Sequence, residues 1–441
     1  MTEKGPATGV TLTIDGRSVT VPKGTPLIQA AHQVNRELPH FCYHPGLSIA
    51  GNCRMCMVEI EVGGKPMPKP QVACATLCTE GMVVKTDSPM ARDARAGVME
   101  FELINHPLDC PECDQAGECR LQDYSFEHGR GHGRIDPEQK NLRHIKDLGP
   151  HVKLWGTRCI VCTRCVRFLN EISGTGEIEV VNRGDRNVVD IFPGHPVENE
   201  LSGNVVDVCP VGALVSTEFL YQARSWFLEK TRGVCPLCAR ACPTRVDTLE
   251  GQIKRVVARE IESEDQYFIC DRGRLQQTFQ QSSDRLREAR VAGRPASGGE
   301  ALEAALAVLR GAEPKGARVI GTAFNSVETL FLLRKLSAKL GGALAVTTRP
   351  DWARAVFPGF EIHADANPNR AGARVIVGAE TIGPDGPAYQ GLLAELERGA
   401  VQAALFVADL PPGPPGSPGA YDPRLLKALD RVPRRIVLAT H

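Results

Sequence analysis

The sequence predicts a multidomain chain of α/β and α+β class, and three observations predict it. At 441 residues the length exceeds what one core organises and sets a prior of roughly three domains. All sixteen cysteines fall at or before Cys270, which leaves the last 171 residues without one. From about residue 298 the composition turns rich in Ala, Gly and Leu, and apolar runs alternate with helical ones, the pattern of a parallel sheet with helices on its faces.

Bulk properties exclude several function classes. Lys+Arg and Asp+Glu both number 52, so the formal net charge is zero and no long-range field draws the chain to nucleic acid or an anionic membrane surface. No run approaches 18 apolar residues, so no direct membrane span is expected. The polar N-terminus lacks the apolar stretch of a secretory signal, and a long chain without one is a poor setting for a disulfide framework. No G-x-G-x-x-G joins a strand to a helix, so the chain shows no nucleotide fingerprint and no catalytic residues of its own.

Residues 10–14 and 18–21 alternate at period two around Asp15-Gly16, a type I′ hairpin signal. Thr25 and Pro26 read as N-cap and first residue of a helix that carries Leu27, Ala30, Ala31 and Val34 on one face. After a cysteine-bearing loop, 57–62 reads as another strand. A hairpin, a helix and further strands suggest the β-grasp fold of plant-type ferredoxins. Cys42, Cys53, Cys56 and a later cysteine repeat the two-iron logic of three ligands on one loop and a distant fourth. With Cys74 the set is C-x10-C-x2-C-x17-C; spacing alone does not separate Cys74 from Cys78.

Residues 89–105 read as a helix that delivers the chain to His106. There His106, Cys110, Cys113 and Cys119 form H-x3-C-x2-C-x5-C, three soft thiolates and an imidazole within the reach of one loop. Such a set suits zinc or an iron–sulfur core. The ordinary alternative for His106 is a histidine that satisfies the last carbonyls of the helix. Residues 124–150 are polar and glycine-rich and read as a connector. Cys159, Cys162 and Cys165 then repeat the C-x2-C-x2-C of bacterial ferredoxins. Leu169 stands where the local fourth cysteine would be, and Cys209-Pro210 supplies it, with 43 residues between Cys165 and Cys209. Cys235, Cys238, Cys242 and Cys270 make a fourth set, C-x2-C-x3-C-x27-C, with 246–257 alternating like a short antiparallel sheet. The four sets use fifteen cysteines and leave one over. Four zinc sites would use them equally, but the ferredoxin-like spacing of two sets favours iron–sulfur. Beyond them, helices are expected at 300–309 and 326–340, strands at 317–321, 373–377, 403–407 and 434–440, and a loop at 411–418. The sequence stops directly after a strand, as a truncated chain or fragment would.

Taken together, His40-Phe-Cys-Tyr-His44, Gly51-Asn-Cys-Arg-Met-Cys56, Val72-Ala-Cys74, the His106–Cys119 loop and Cys159-Ile-Val-Cys-Thr-Arg-Cys-Val-Arg-Phe168 resemble one family. It is the large iron–sulfur subunit of proton-pumping NADH:quinone oxidoreductase, respiratory complex I. The resemblance covers residues 10 to about 280. It implies Cys74 rather than Cys78 as the two-iron ligand. It also implies one 2Fe-2S and three 4Fe-4S clusters, the last an extra cluster off the main electron path, kept by only some bacterial members.

Five units follow: a 2Fe-2S β-grasp domain at 8–88, a 4Fe-4S segment with one histidine and three cysteine ligands at 89–130, a 4Fe-4S ferredoxin-like domain at 148–225, a molybdopterin-oxidoreductase-type 4Fe-4S domain at 228–285, and a partial molybdopterin-oxidoreductase-like α/β domain at 295–441. Electrons would come from a flavin-bearing NADH dehydrogenase subunit and leave through downstream iron–sulfur subunits toward quinone. The implied location is peripheral, on the cytoplasmic face of the bacterial inner membrane. An electron-transfer subunit of an NAD-linked hydrogenase or formate dehydrogenase shares the first three sets and is the alternative.

Overall fold

The computed structural model describes residues 9–134, 140, 143–276, 281–283, 285–313, 315–378, 382–408 and 422–439. The first unit is built on a hairpin of Gly9–Ile14 and Arg17–Pro22, with Asp15 and Gly16 at φ +48° and +80°, the two left-handed positions of a I′ turn. Gly9–Ile14 also pairs in parallel with Val83–Lys85, which pairs antiparallel with Met57–Val62. The helix Leu27–Gln33 packs Leu27, Ile28, Ala30 and Ala31 into the core of this sheet. Its start differs from the sequence expectation. Pro26 is the extended N-cap, and the Thr25 hydroxyl turns back to donate to the Pro22 carbonyl at 2.7 Å.

The helix Pro89–Leu103 is capped by the Ser88 hydroxyl. It docks on the grasp domain through buried Arg95, which donates to the carbonyls of Met57 (3.0 Å) and Thr86 (2.7 Å). The expected connector from residue 124 is partly regular. A helix, Arg120–His128, runs into it, and Ile145–Asp147 edges a sheet with Val152–Trp155 and Leu214–Ser216. Tyr124 and Leu121 drive that helix into the core, a short apolar face that the polar residues around it conceal in the sequence. Residues 135–139 and 141–142 of the connector lie outside the described residues.

The expected antiparallel sheet near 246–257 has three strands, Glu229–Val234, Pro243–Leu249 and Gln252–Ala258. Buried Asn204 ties the preceding unit to the segment just before Cys270: its side chain donates to the carbonyls of Leu201 and Ile269 and accepts from the Ile269 N–H. One hydrophobic core runs from Phe41 through residues 148–214 to Phe360 and Ile362, separate from the grasp core.

The last unit is a parallel sheet ordered Ala345–Thr347, Ala317–Thr322, Ala403–Ala408, Arg434–Ala439. Helices Gly298–Arg310 and Val327–Lys339 contribute to the core on one side of the sheet, Pro387–Glu397 and Pro423–Leu429 to that on the other. The expected strand at 373–377 is instead the end of a helix, Arg370–Val377, closed by Gly378 at φ +69°. Its β-branched run misleads because only Ala373 is fully buried, while Val375 is 78% exposed. Gly372 allows the close packing on Val327, where a Cβ would meet the valine methyl at 2.8 Å. The loop expected at 411–418 lies outside the described residues. No described helix is long and apolar enough to cross a membrane.

Asn204→Ala takes the side-chain partner from the Ile269 N–H and carbonyl inside the core, while the Leu201 carbonyl keeps the backbone N–H of residue 204 at 3.0 Å. It should lower stability by roughly 1–3 kcal/mol, read as a drop in the thermal midpoint.

Candidate metal centres

The first set straddles two cores. Cys42 and Cys53 pack into the large one, Cys56 and Cys74 into the grasp core. Backbone N–H groups point at the sulfurs: Phe41 and Cys42 to Cys53 Sγ (3.5 and 3.4 Å), Cys74 to Cys56 Sγ (3.5 Å). Cys42 shares hydrogen bonds with the Cys53 and Cys74 thiols, which hold it far below the usual thiol range. The same bonds, with burial, hold Cys53 and Cys74 far above it. Cys56 is lowered by its bond to Cys74. Cys78 is not part of this network; burial alone raises it.

The His106 loop is held from outside by three cations. Lys140 takes the carbonyls of Leu103, Ile104 and His106 at 2.8–3.0 Å, so a lysine, not the imidazole, caps the end of the preceding helix. Burial lowers His106 to about 4, so its ring is neutral near pH 7, the form that binds a metal. Arg158, 2% exposed and adjacent to Cys159, grips Asp109 at 2.8 Å. Arg224 donates to the carbonyls of Cys110 and Cys113 at 3.0 Å. Cys110 is exposed, whereas Cys113 and Cys119 are buried. Gly212 meets this loop from the third set: a Cβ there would lie 2.2 Å from Cys113 Sγ.

Cys159, Cys162, Cys165 and Cys209 line one small, mostly apolar cavity together with Leu154, Val189 and Leu214. The four thiols, with 43 residues between Cys165 and Cys209, thus face a common space. In the fourth set the Cys235 N–H bonds the Cys242 carbonyl at 2.8 Å, folding the loop back on itself. Gly273 lets the segment after Cys270 close on Cys235, where a Cβ would stand 2.9 Å from the sulfur.

The four loops share a device. Each carries a left-handed residue between its cysteines: Arg54, Gly117, Val161 and Ala241, at φ +59°, +83°, +50° and +52°. For a β-branched valine this conformation is strained. Such turns gather successive N–H groups into a concave, anion-binding nest. Arg164, Arg167 and Glu171 all turn onto the 42–48 loop; the motif contains the two arginines but assigns them no role, and it does not reach Glu171. Their signal is the i, i+3, i+7 spacing of three charges on one helical face. Among the described residues no three His, Cys, Asp or Glu side chains are arranged around a single metal ion. The donor chemistry, with soft thiolates in N–H nests and a cavity common to four of them, fits iron–sulfur groups.

Comparison with known proteins agrees with this chemistry. Residues 7–89 match the family model of a 2Fe-2S iron-sulfur cluster binding domain. Residues 95–134 match the iron-sulfur binding region of NADH-ubiquinone oxidoreductase-G, and 149–215 the ferredoxin-like domain of NADH-quinone oxidoreductase subunit 3. The G-type subunit of the Rickettsia conorii NADH-quinone oxidoreductase is 41% identical over 344 residues, 75% of this chain and 49% of that protein. The chain belongs to the G-type subunit family of NADH-quinone oxidoreductase. Its Streptomyces coelicolor relative of the same name is 43% identical over 303 residues, 67% of this chain and 36% of that protein. The Neurospora crassa mitochondrial NADH-ubiquinone oxidoreductase 78 kDa subunit is 38% identical over 368 residues, 81% and 48% of the two chains. The chain thus spans about half the length, or less, of these relatives.

Burial raises Cys159 and Cys270 to about 11 and Cys162, Cys235 and Cys242 to about 12, against 9.0 for an exposed thiol. A folded-state value above the unfolded one gives stability that is complete below pH 9 and lost as pH rises through 11 to 12. Iron-free protein should therefore unfold at lower urea at about pH 10 than at about pH 7. An unchanged midpoint would mean that these thiols are not buried without metal.

Proposed function

We propose that the chain is an iron–sulfur electron relay of NADH:quinone oxidoreductase. In this reading Cys42, Cys53, Cys56 and Cys74 hold a 2Fe-2S cluster. His106, Cys110, Cys113 and Cys119 hold a 4Fe-4S cluster, as do Cys159, Cys162, Cys165 and Cys209, and again Cys235, Cys238, Cys242 and Cys270. The clusters, when bound, supply one-electron redox chemistry at potentials the protein adjusts. The residues around them exclude water, donate N–H hydrogen bonds to sulfur and place arginine charge nearby. The observation that carries the reading is the single cavity faced by Cys159, Cys162, Cys165 and distant Cys209.

The packing supports an order. Arg164 and Arg167 join the first set to the third, and Arg158 and Gly212 join the third to the second. By family likeness, electrons arrive at the Cys42 set from a flavin-bearing NADH-oxidising subunit. They leave past the His106 set to downstream iron–sulfur subunits and quinone. The Cys235 set is off this line, and the C-terminal parallel sheet serves as part of a molybdopterin-oxidoreductase-like scaffold without a catalytic pocket. The assembly would sit peripherally on the cytoplasmic face of the bacterial inner membrane. The five units proposed are 8–88, 89–130, 148–225, 228–285 and 295–441.

Anaerobically purified protein should contain about fourteen irons and as many acid-labile sulfides per chain, with several distinct EPR signals after dithionite. Colourless protein holding zinc would end the relay reading. A neutral imidazole in place of a thiolate removes one negative charge from its site and should raise the potential there. His106→Cys should therefore lower that potential in a redox titration, and an equal or higher value would refute the assignment of His106.

A further inference from the structure

The segment after the third thiolate loop, Arg164–Arg167 continued by Phe168–Ser173, bears Arg164, Arg167 and Glu171 on one face. All three reach the loop that follows Cys42. Arg164 donates to the Tyr43 carbonyl and, at 3.2 Å, to that of Val208. Arg167 donates to the carbonyls of Cys42 and Ser48. Glu171 accepts from the Ser48 N–H (2.9 Å) and hydroxyl (2.5 Å). From the opposite side Asn52 donates to the Val161 carbonyl at 3.4 Å. The two thiolate loops are thus clamped to one another by side chains of both.

Arg164 differs from its neighbours. It is 5% exposed, its Nε has no acceptor among the described residues, and no described carboxylate lies within ion-pairing distance of it. An isolated buried guanidinium is expensive to desolvate unless negative charge lies close by. Its two anchors adjoin Cys42 on one side and Cys209 on the other, and its field is felt by the thiols of Cys162 and Cys209 and by His40 and His44, which flank Cys42. The negative groups that act on it are Cys162 and Cys209 of the third set and the carboxylate of Glu260, which stands beyond ion-pairing distance; on the side of the first set its hydrogen bond to the Tyr43 carbonyl brings it beside Cys42.

We propose that Arg164 is a positioning and charge-matching residue for electron transfer between the Cys42/Cys53/Cys56/Cys74 site and the Cys159/Cys162/Cys165/Cys209 site. This rests on the relay reading above. Its fixed charge favours an added electron on either side alike, and its two carbonyl anchors hold the sites at a constant separation. One electron leaves the first site as one enters the second. No bond breaks and no proton moves, because the guanidinium stays protonated throughout.

The test is an EPR-monitored redox titration of wild type, Arg164→Gln and Arg164→Lys, each with measured iron content. Wild type without iron would fail the relay reading itself, before Arg164 is in question. With iron at the wild-type level, Arg164→Gln should lower the potentials of both the two-iron and the four-iron signal. The expected size is about a tenfold change in the reduced-to-oxidised ratio, about 59 mV for one electron. Unchanged potentials, or a shift in one signal only, overturn the proposal. Arg164→Lys keeps the charge but cannot bridge two carbonyls. It should hold both potentials within about twofold in that ratio, while the magnetic interaction between the two reduced centres weakens. Should Arg164→Gln fail to load iron, Arg164→Lys decides: retained potentials support the charge role, and a tenfold loss overturns it.

Discussion

Burying thiolate sulfur without a disulfide is the constraint on which the rest of this structure depends. Fifteen of the sixteen cysteines are buried or half-buried, and all sixteen are free. Each sulfur that gives up its proton must find its stabilisation in N–H groups, arginines or metal. The loops are shaped accordingly. A left-handed residue turns the backbone between the cysteines of every set, and glycines at 212 and 273 admit a sulfur where any side chain would collide with it. Arg158, Arg164 and Arg224 stand beside the same loops and hold them by their carbonyls. Local strain, close backbone approach and buried cations are three answers to one electrostatic demand.

The grouping of the cysteines was the plainest pattern in the sequence, because residue type and spacing recur together in each proposed ligand set. The hairpin at Asp15-Gly16 and the strand Met57–Val62 were legible for a similar reason: turn chemistry and period-two alternation act over a few residues. Cys74 and Cys78 could not be told apart by spacing. The fold shows that Cys74 meets the thiols of Cys42 and Cys56, while Cys78 is buried in the grasp core outside that network, its N–H bonded to the Thr25 carbonyl.

Where the reading failed, tertiary context had overridden a local signal. Ala-Arg-Val-Ile-Val at 373–377 has the composition of a buried strand, yet it lies on a helix framed by Asn369 and Gly378. A nine-residue cap-to-cap spacing was the clue that the β-branched run concealed. The helix Arg120–His128 was hidden by its polarity, since it spends only Leu121 and Tyr124 on the core. Arg164 and Arg167 were visible as motif letters, but their role depends on where residues 42–48 lie, and no local pattern contains that distance.

The position of the first set at the seam of two cores bears on how the protein is made. Cys56 and Cys74 are seated once the grasp sheet has closed with Val83–Lys85. Cys42 and Cys53 belong to a core that also holds Phe41 and Met55 but is completed by residues made much later, such as Phe168 and Val205. A nascent chain that has finished its N-terminal unit therefore presents half a socket. In the proposed reading, a metal centre at this seam would tie the two cores together at a single point.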